Sequence, residues 1–147
     1  MKGMRKIFTI GYGNRKFKEF VTILQRFGVK RVIDVRRFPT SKWSEFVKEN
    51  LQSSLPAWGI DYIHLRELGG YRDDYKRYTK TKEFRRGLEK LVKLAKEKPS
   101  AIMCVEPHPR ACHRRFVVEK LERIGWEIVH IGGNGELLSF SKARQKR

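Results

Sequence analysis

The chain has few cysteines, few amides and no long apolar run. Its 147 residues include two cysteines, three asparagines and three glutamines. Two cysteines do not make a disulfide framework, so we expect free thiols in a reducing compartment. No apolar segment approaches the length that spans a bilayer, and the first apolar run stops at a glycine too early for a signal peptide. These absences predict a soluble cytoplasmic protein with no membrane partner.

Acidic residues are also scarce. Asp and Glu number 16 against 34 Lys and Arg, which gives a formal net charge of +18. The basic residues are spread along the chain, and such a field attracts polyanions, among which we expect nucleic acid or a nucleotide as partner. A highly charged surface that is poor in amides is also typical of hyperthermophile proteins. The charge by itself leaves both interpretations open.

Strand-like and helix-like segments alternate along the chain. The β-rich runs are KIFTIG, KRVIDV, IDYIHL, AIMCV and EIVHI, and segments with apolar residues at helical spacing separate them. Helical crossovers predict an α/β fold, a three-layer α-β-α sandwich around a mostly parallel sheet of about five strands. Residues 66–80 lack a steady period and are predicted to form a long irregular connection. We assign residues 1–135 to a single domain and residues 136–147 to a basic C-terminal tail or short helix.

Polar residues follow each of the first four predicted strands. The segments are GYGNR, DVRRFPTS, RELGG and CVEPHPRACHRR. Ligands of open parallel sheets bind beyond the carboxyl ends of the strands, where the strand order reverses. Because these ends share one edge of the sheet, the four segments predict one site there.

The first segment contributes Gly11, Tyr12 and Asn14 as candidate ligand-binding residues. Glycines after a strand let the backbone turn sharply and approach a ligand, and a helix N-terminus follows. The segment lacks the third glycine of a dinucleotide fingerprint, which argues against NAD. The alternative is that the glycines only form a turn.

The second segment contributes Asp34, Arg36, Arg37 and Ser41. A carboxylate at a strand end suits an acid or base, and two arginines suit bidentate phosphate binding. Ser41 is a candidate ligand-binding residue that could also cap the next helix. Alternatively, Asp34 and Arg36 form a structural ion pair that braces the loop.

The third connection interleaves three tyrosines with Arg and Lys in LRELGGYRDDYKRYTK. Aromatic faces and cations in one loop suit stacking against bases and contacts with phosphate. The alternative is a tyrosine-packed loop whose charges only face water. Glu67, beside the Gly-Gly pair, joins the candidate ligand-binding residues.

The fourth segment begins with Cys104, and the spacing to Arg110 is that of a cysteine-phosphatase loop. Two prolines between them lack N–H groups and Glu106 would repel phosphate, so the spacing does not favour a phosphatase. The cysteines and histidines match no common zinc pattern, and we predict no metal site. Cys104 and Glu106 stay candidate catalytic residues at a strand end.

Cys112, His113 and Arg114 fall in the first turn of the helix that follows. A thiol at a helix N-terminus is activated by the helix dipole, and a neighbouring imidazole or guanidinium binds anions. Cys112 and His113 are therefore candidate catalytic residues and Arg114 a candidate ligand-binding residue. Alternatively, both cysteines of the chain are small buried hydrophobes.

Five motifs, TIGYGN, DVRRFPTS, GIDYIHLRELGG, MCVE and CHRR, occur in this order. Together they resemble the family catalogued as domain of unknown function 488, over residues 7–131. The resemblance implies a Rossmann-like fold, no particular reaction and no particular cofactor. It also implies a shared site, whose members would be Gly11, Asp34, Arg36, Ser41, Glu67, Cys104, Glu106, Cys112, His113 and Arg114.

Three hypotheses of function follow. In the first, the strand-end cleft binds or processes nucleic acid or a nucleotide: Arg36 and Arg114 hold phosphate, Asp34 or Glu106 acts as a base or binds a metal ion, and His113 transfers a proton. In the second, Cys104 or Cys112 is the nucleophile of a transferase or hydrolase. In the third, the protein is a non-enzymatic interaction module.

Overall fold

The computed structural model describes residues 5–13, 15–69, 74–104, 113–132 and 137–138. Within these ranges six strands form one sheet in the order β3-β2-β4-β1-β5-β6. The strands are β1 (Lys6–Gly11), β2 (Arg31–Asp34), β3 (Asp61–His64), β4 (Ser100–Cys104), β5 (Glu127–Ile131) and β6 (Leu137–Leu138). The first five are parallel and β6 runs antiparallel to β5. The predicted parallel sheet of five strands is thus confirmed.

The central strands are buried on both faces because helices cover both. Every residue of β2 and β4 is buried, and in β1 all but the first are. Burial along the whole strand, with a largely apolar middle, is typical of a parallel sheet with two covered faces. The core therefore lies on either side of β1, β2 and β4.

In the described part of the chain, five helices flank the sheet. They are α1 (Phe17–Arg26), α2 (Lys48–Ser54), α3 (Tyr75–Tyr78), α4 (Lys82–Glu97) and α5 (Arg114–Arg123), with short 3-10 turns at Ser44–Phe46, Leu55–Trp58 and Arg66–Leu68. Helix α4 begins where the hydroxyl of Thr81 accepts a hydrogen bond from the Phe84 amide at 3.2 Å. Among the helices described, none is long and apolar enough to cross a membrane.

The helices divide between two apolar clusters, one on each face of the sheet. Phe20 and Leu24 of α1 pack with Leu51 of α2 in one cluster. Leu91 of α4 packs with Val117 of α5 in the other. Right-handed crossovers explain the division, since the chain moves from β1 through β2 to β3 in one direction and then returns to β4 and β5. The predicted three-layer sandwich is confirmed.

The return of the chain places β4 between β2 and β1. The connections that follow these three strands therefore emerge side by side at the carboxyl edge. This is the position at which the strand order reverses and ligands of such sheets bind. The carboxyl ends are close in register, with Asp34 of β2 opposite Met103 of β4, and Gly11 of β1 opposite Cys104.

The connection over residues 66–80 is more regular than its sequence predicts. It contains the 3-10 turn Arg66–Leu68 and helix α3, so the prediction of an irregular segment is wrong for its described part. The Asp74 carboxylate accepts from the Arg77 amide at 3.1 Å, and the Tyr75 hydroxyl donates to the Leu68 carbonyl at 2.8 Å. These contacts stabilise one helical turn that has no apolar period of its own.

The segment assigned to a tail or short helix contains two described residues, Leu137 and Leu138. Their backbone forms β6 and pairs with Ile131 and His130. At this point the chain therefore adds an antiparallel strand to the edge of the sheet.

A braced loop at the carboxyl edge of the sheet

The connection after β2 begins with a buried ion pair between Asp34 and Arg36. The Asp34 side chain is fully buried and Arg36 is 6% exposed. The guanidinium Nε lies 2.9 Å from Oδ1 and Nη2 lies 2.7 Å from Oδ2, while the Arg36 backbone amide donates to Oδ1 at 3.0 Å. A bidentate pair of this geometry is among the strong hydrogen-bonded contacts in proteins. It folds the loop back onto the end of its own strand.

Two tyrosines complete the network around this pair. The Tyr62 hydroxyl, from β3, donates a short hydrogen bond to Asp34 Oδ2. Arg36 Nη1 donates to the Tyr12 hydroxyl at 3.3 Å and to the Thr40 carbonyl at 3.1 Å. Both carboxylate oxygens and most guanidinium N–H groups are thus engaged inside the protein. The sequence allowed two interpretations of Asp34 and Arg36, a phosphate-binding site and a structural ion pair. This arrangement is that of a structural ion pair.

The network shifts the ionisation of its members. Burial lowers the pKa of the Arg36 guanidinium, but the hydrogen bonds and charge of Asp34 outweigh burial and raise that pKa above its ordinary value. Burial, and then the negative charge of Asp34, raise the pKa of Tyr62 above its ordinary value of 10.0. Arg36 therefore stays charged and Tyr62 stays a neutral donor over the physiological pH range.

Two histidines hold the backbone of the same loop. His113 Nε2 lies 2.8 Å from the Val35 carbonyl, and His64 Nε2 lies 2.5 Å from the Arg36 carbonyl. A carbonyl only accepts, so each Nε2 carries the proton and donates it. The ring of His113 also contacts the ring of Tyr75, with centroids 5.2 Å apart. His113, which the first hypothesis expects to transfer a proton, therefore lies against the loop after β2.

The loop packs against the third connection without a gap. A Cβ added at Gly69 would lie 2.2 Å from the Arg37 Cα atom. Only a glycine permits this approach of two backbones. The loop after β2 and the turn after β3 therefore form one packed unit.

The connection after β1 is joined to the same edge. The Tyr12 amide donates to the Cys104 carbonyl at 3.0 Å, and its ring stacks on Phe46 at 4.4 Å between centroids. Arg15 donates to the Gly11 carbonyl at 2.9 Å and also to the carbonyl of Gly132. The structure thus brings the predicted residues Gly11 and Tyr12 together with Asp34 and Arg36.

The remaining candidates lie in different surroundings. Cys104 is 1% exposed inside an apolar cluster, as in the alternative of a small buried hydrophobe, and Arg114 is fully buried. Ser41 lies at the rim, where its hydroxyl accepts from the Trp43 amide at 3.1 Å. Arg37 is half-buried, and its guanidinium lies over the Phe38 ring.

Glu67 turns toward helix α4 and not toward the loop after β2. Its carboxylate lies 2.6 Å from Nζ of Lys90. Burial raises the pKa of Glu67, but the hydrogen bond from Lys90, a backbone hydrogen bond and the nearby positive charges together outweigh burial and hold that pKa below its usual range. Glu67 therefore helps to hold the third connection against helix α4.

Three candidates lie outside the described residues, namely Asn14, Glu106 and Cys112. Arg110, which entered the phosphatase spacing, lies outside them as well. Within the part of the chain that is described, no three His, Cys, Asp or Glu side chains are grouped as metal ligands.

Four residues of this edge are absent from the sequence predictions. Tyr62 and His64 alternate along β3 and reach Asp34 and Arg36 only because β3 pairs with β2. Phe38 and Trp43 are exposed aromatics within a run of Arg and Lys. The signal for the last two was present in RRFPTSKW, which interleaves aromatic and basic residues as the third connection does.

Fold and edge together define the class: a Rossmann-like α/β protein with a braced, aromatic and basic loop at the carboxyl edge of its sheet. The model of the family described as Domain of unknown function DUF488 matches residues 16–121. This match spans more than half of the chain, which therefore belongs to that family, as the motifs indicated. No curated protein and no solved structure matches the chain.

Proposed function

We propose that this protein binds nucleic acid at the carboxyl edge of its sheet, through contacts between exposed cations and successive phosphates. The observation that carries the proposal is that exposed basic side chains from the connections after β1, β2 and β3, and from the first turn of α1, lie at that edge. These residues are Lys16, Lys18, Lys42, Arg66, Lys76 and Arg77. Within the described residues none of the six forms an ion pair.

The buried network supports the proposal by its position. Asp34 is fully buried and its charge is matched by Arg36, so this carboxylate does not present a bare negative charge to the edge. Asp34 and Arg36 act here as a brace, and phosphate contacts are left to the exposed cations. With a net charge of +18, the field of the whole chain steers a polyanion toward the protein.

If the surface charge bound nucleic acid without regard to position, removing cations from either end of the sheet would weaken binding equally. We therefore compare two triple variants that each remove three positive charges. One changes the carboxyl-edge residues Lys42, Arg66 and Arg77 to Gln. The other changes exposed cations toward the amino edge, Arg26, Lys30 and Lys96, to Gln.

The measurement is fluorescence anisotropy of a labelled single-stranded oligonucleotide over a series of salt concentrations. The carboxyl-edge variant should bind more weakly, and its salt dependence should be less steep by about 2 in the slope of log K against log salt, at ~0.7 per phosphate contact. The amino-edge variant should stay close to the unchanged protein. Equal losses in both variants, or no binding by the unchanged protein at low salt, would refute the proposal.

A further inference from the structure

Two of the large hydrophobic side chains exposed in the described structure lie in the loop after β2. Phe38 is 54% exposed and Trp43 is 46% exposed. Each ring has a cation beside it, since the Arg37 guanidinium lies 5.2 Å from the Phe38 centroid and the Lys42 ammonium 4.7 Å from that of Trp43. A ring that is half exposed with a cation on it offers ring surface to solvent beside a positive charge. This is the combination that binds a base and its phosphate.

The backbone that carries these rings is held in place. The Thr40 carbonyl accepts from Arg36, the Thr40 amide donates to the Phe38 carbonyl at 2.8 Å, and the Lys48 amide donates to the Pro39 carbonyl at 2.9 Å. These bonds add to those that hold Val35 and Arg36. A preorganised loop loses little conformational entropy when a ligand binds, so exposed rings on it are effective binding groups.

We propose that Phe38 and Trp43 stack against unpaired bases, and that the protein therefore prefers single-stranded over double-stranded nucleic acid. This inference rests on the proposed function and names the form of nucleic acid that the edge takes. Bases in a duplex already stack on one another and present only their edges, whereas unpaired bases offer their faces to aromatic rings. The cations beside the rings stay close to the phosphates on either side of a stacked base.

Charge complementarity selects this partner. The chain carries a net charge of +18, and the exposed cations Lys42, Arg66, Lys76 and Arg77 come from the same edge as the two rings. A flexible single strand brings both bases and phosphates to such a surface. An anionic membrane shares the charge but not the flat rings, and it forms a separate outcome of the test.

The chain contains a matched control for the main variant. Trp58 is 49% exposed, close to the 46% of Trp43, but it lies in the turn before β3, at the opposite end of the sheet. Its backbone carbonyl accepts a hydrogen bond from the side-chain amide of Gln25, near the end of α1, at 3.4 Å. Trp43→Ala and Trp58→Ala therefore remove the same type of side chain, at similar exposure, from opposite edges of the sheet.

The experiment measures the affinity of each variant for a labelled oligothymidylate and for a duplex of the same length. Trp43→Ala and Phe38→Ala should each weaken single-strand binding by about 5- to 150-fold, the range that stacking on one aromatic ring produces. Duplex binding should change little, and Trp58→Ala should leave both unchanged. Trp43→Phe should recover most of the affinity and Trp43→Leu should not, because stacking needs a flat ring.

The outcomes separate this inference from the proposed function. Salt-dependent binding that distinguishes the two triple-charge variants, but no difference between Trp43→Ala and Trp58→Ala, refutes the stacking and leaves phosphate binding in place. Equal affinity of the unchanged protein for single strand and duplex refutes it as well. In the Trp58→Phe background, where Trp43 and the buried Trp126 remain, a blue shift of the emission on phosphatidylserine vesicles that Trp43→Phe abolishes, without quenching by oligothymidylate, replaces nucleic acid by a membrane surface. Absence of all nucleic-acid binding refutes both proposals.

Discussion

A buried arginine begins β2 and another lies two residues after its carboxyl end, and the two arginines are held by different surroundings. At the amino end, Arg31 contacts Asp61 at 3.1 Å and Glu97 at 2.7 Å, and the side chains of these acids are 45% and 48% exposed. At the carboxyl end, Arg36 contacts Asp34, whose side chain is fully buried. The ion pairs of Arg31 are therefore partly exposed to solvent, which makes them the wet end of the strand, whereas the pair of Arg36 is buried and dry.

This difference separates two uses of an ion pair. Water screens and solvates the partners of Arg31, so these pairs contribute little and help to fasten β2 to α4 and β3 at the surface. The charges of Asp34 and Arg36 have lost their water, so each depends on the other. The dry pair therefore determines the shape of a loop, and that loop carries the exposed rings and cations of the proposed binding edge.

The largest expected effect comes from breaking the dry pair. Asp34→Asn leaves the Arg36 guanidinium buried without its counter-charge, and we expect the free energy of unfolding to fall by about 3–5 kcal/mol. Asp61→Asn, the matched change at the wet end, should cost less than about 1 kcal/mol. Urea denaturation at neutral pH measures both. Adding Arg36→Gln to Asp34→Asn should recover part of the loss, and equal losses at the two ends would contradict the comparison.

A smaller effect is expected from closing the space between the loop and the third connection. Gly69→Ala would place its Cβ within 2.2 Å of the Arg37 backbone, and we expect overpacking to cost about 1–3 kcal/mol. The displaced loop should also lower the affinity for oligothymidylate.

The control for this variant is Gly59→Ala. Gly59 has a φ of +76° with no atom near its absent Cβ, so alanine there meets backbone strain of about 1–2 kcal/mol and no clash. Both variants should be destabilised in urea, but only Gly69→Ala should bind oligothymidylate more weakly. Unchanged binding by Gly69→Ala would show that the position of the loop after β2 does not affect the affinity for oligothymidylate.

The smallest effect is expected from Tyr62→Phe, and it depends on pH. Asp34 keeps its bonds from Arg36 when the hydroxyl is removed, so the loss at neutral pH should be near the lower limit for a buried acceptor, about 1 kcal/mol. Because the folded protein raises the pKa of Tyr62, its contribution is complete below pH 10.0 and declines as the pH rises above that value. Urea midpoints should therefore fall less steeply on the alkaline side in Tyr62→Phe, and parallel curves would contradict this.

Much of the fold could be predicted because its signals are local. The run EIVHI coincides with β5, and a local contact of the Thr81 side chain caps the start of α4. The order of the strands could not be predicted in this way, since it depends on which strands pair across long stretches of chain. The helical turn Tyr75–Tyr78 was missed because hydroxyl contacts with distant carbonyls, and not an apolar period, hold it in place.

The candidate site shows the same division. The sequence by itself determined that Asp34 and Arg36 lie close together at the end of one strand, because they are only two residues apart, and it left open whether they pair with each other or whether Arg36 holds phosphate. Only the tertiary structure decided that they meet without water. The pairing of β2 with β3 brings Tyr62 over the carboxylate, and the packing of Tyr12 on Phe46 covers the guanidinium. Burial is a property of the whole fold, and it makes this charged pair a brace for the loop.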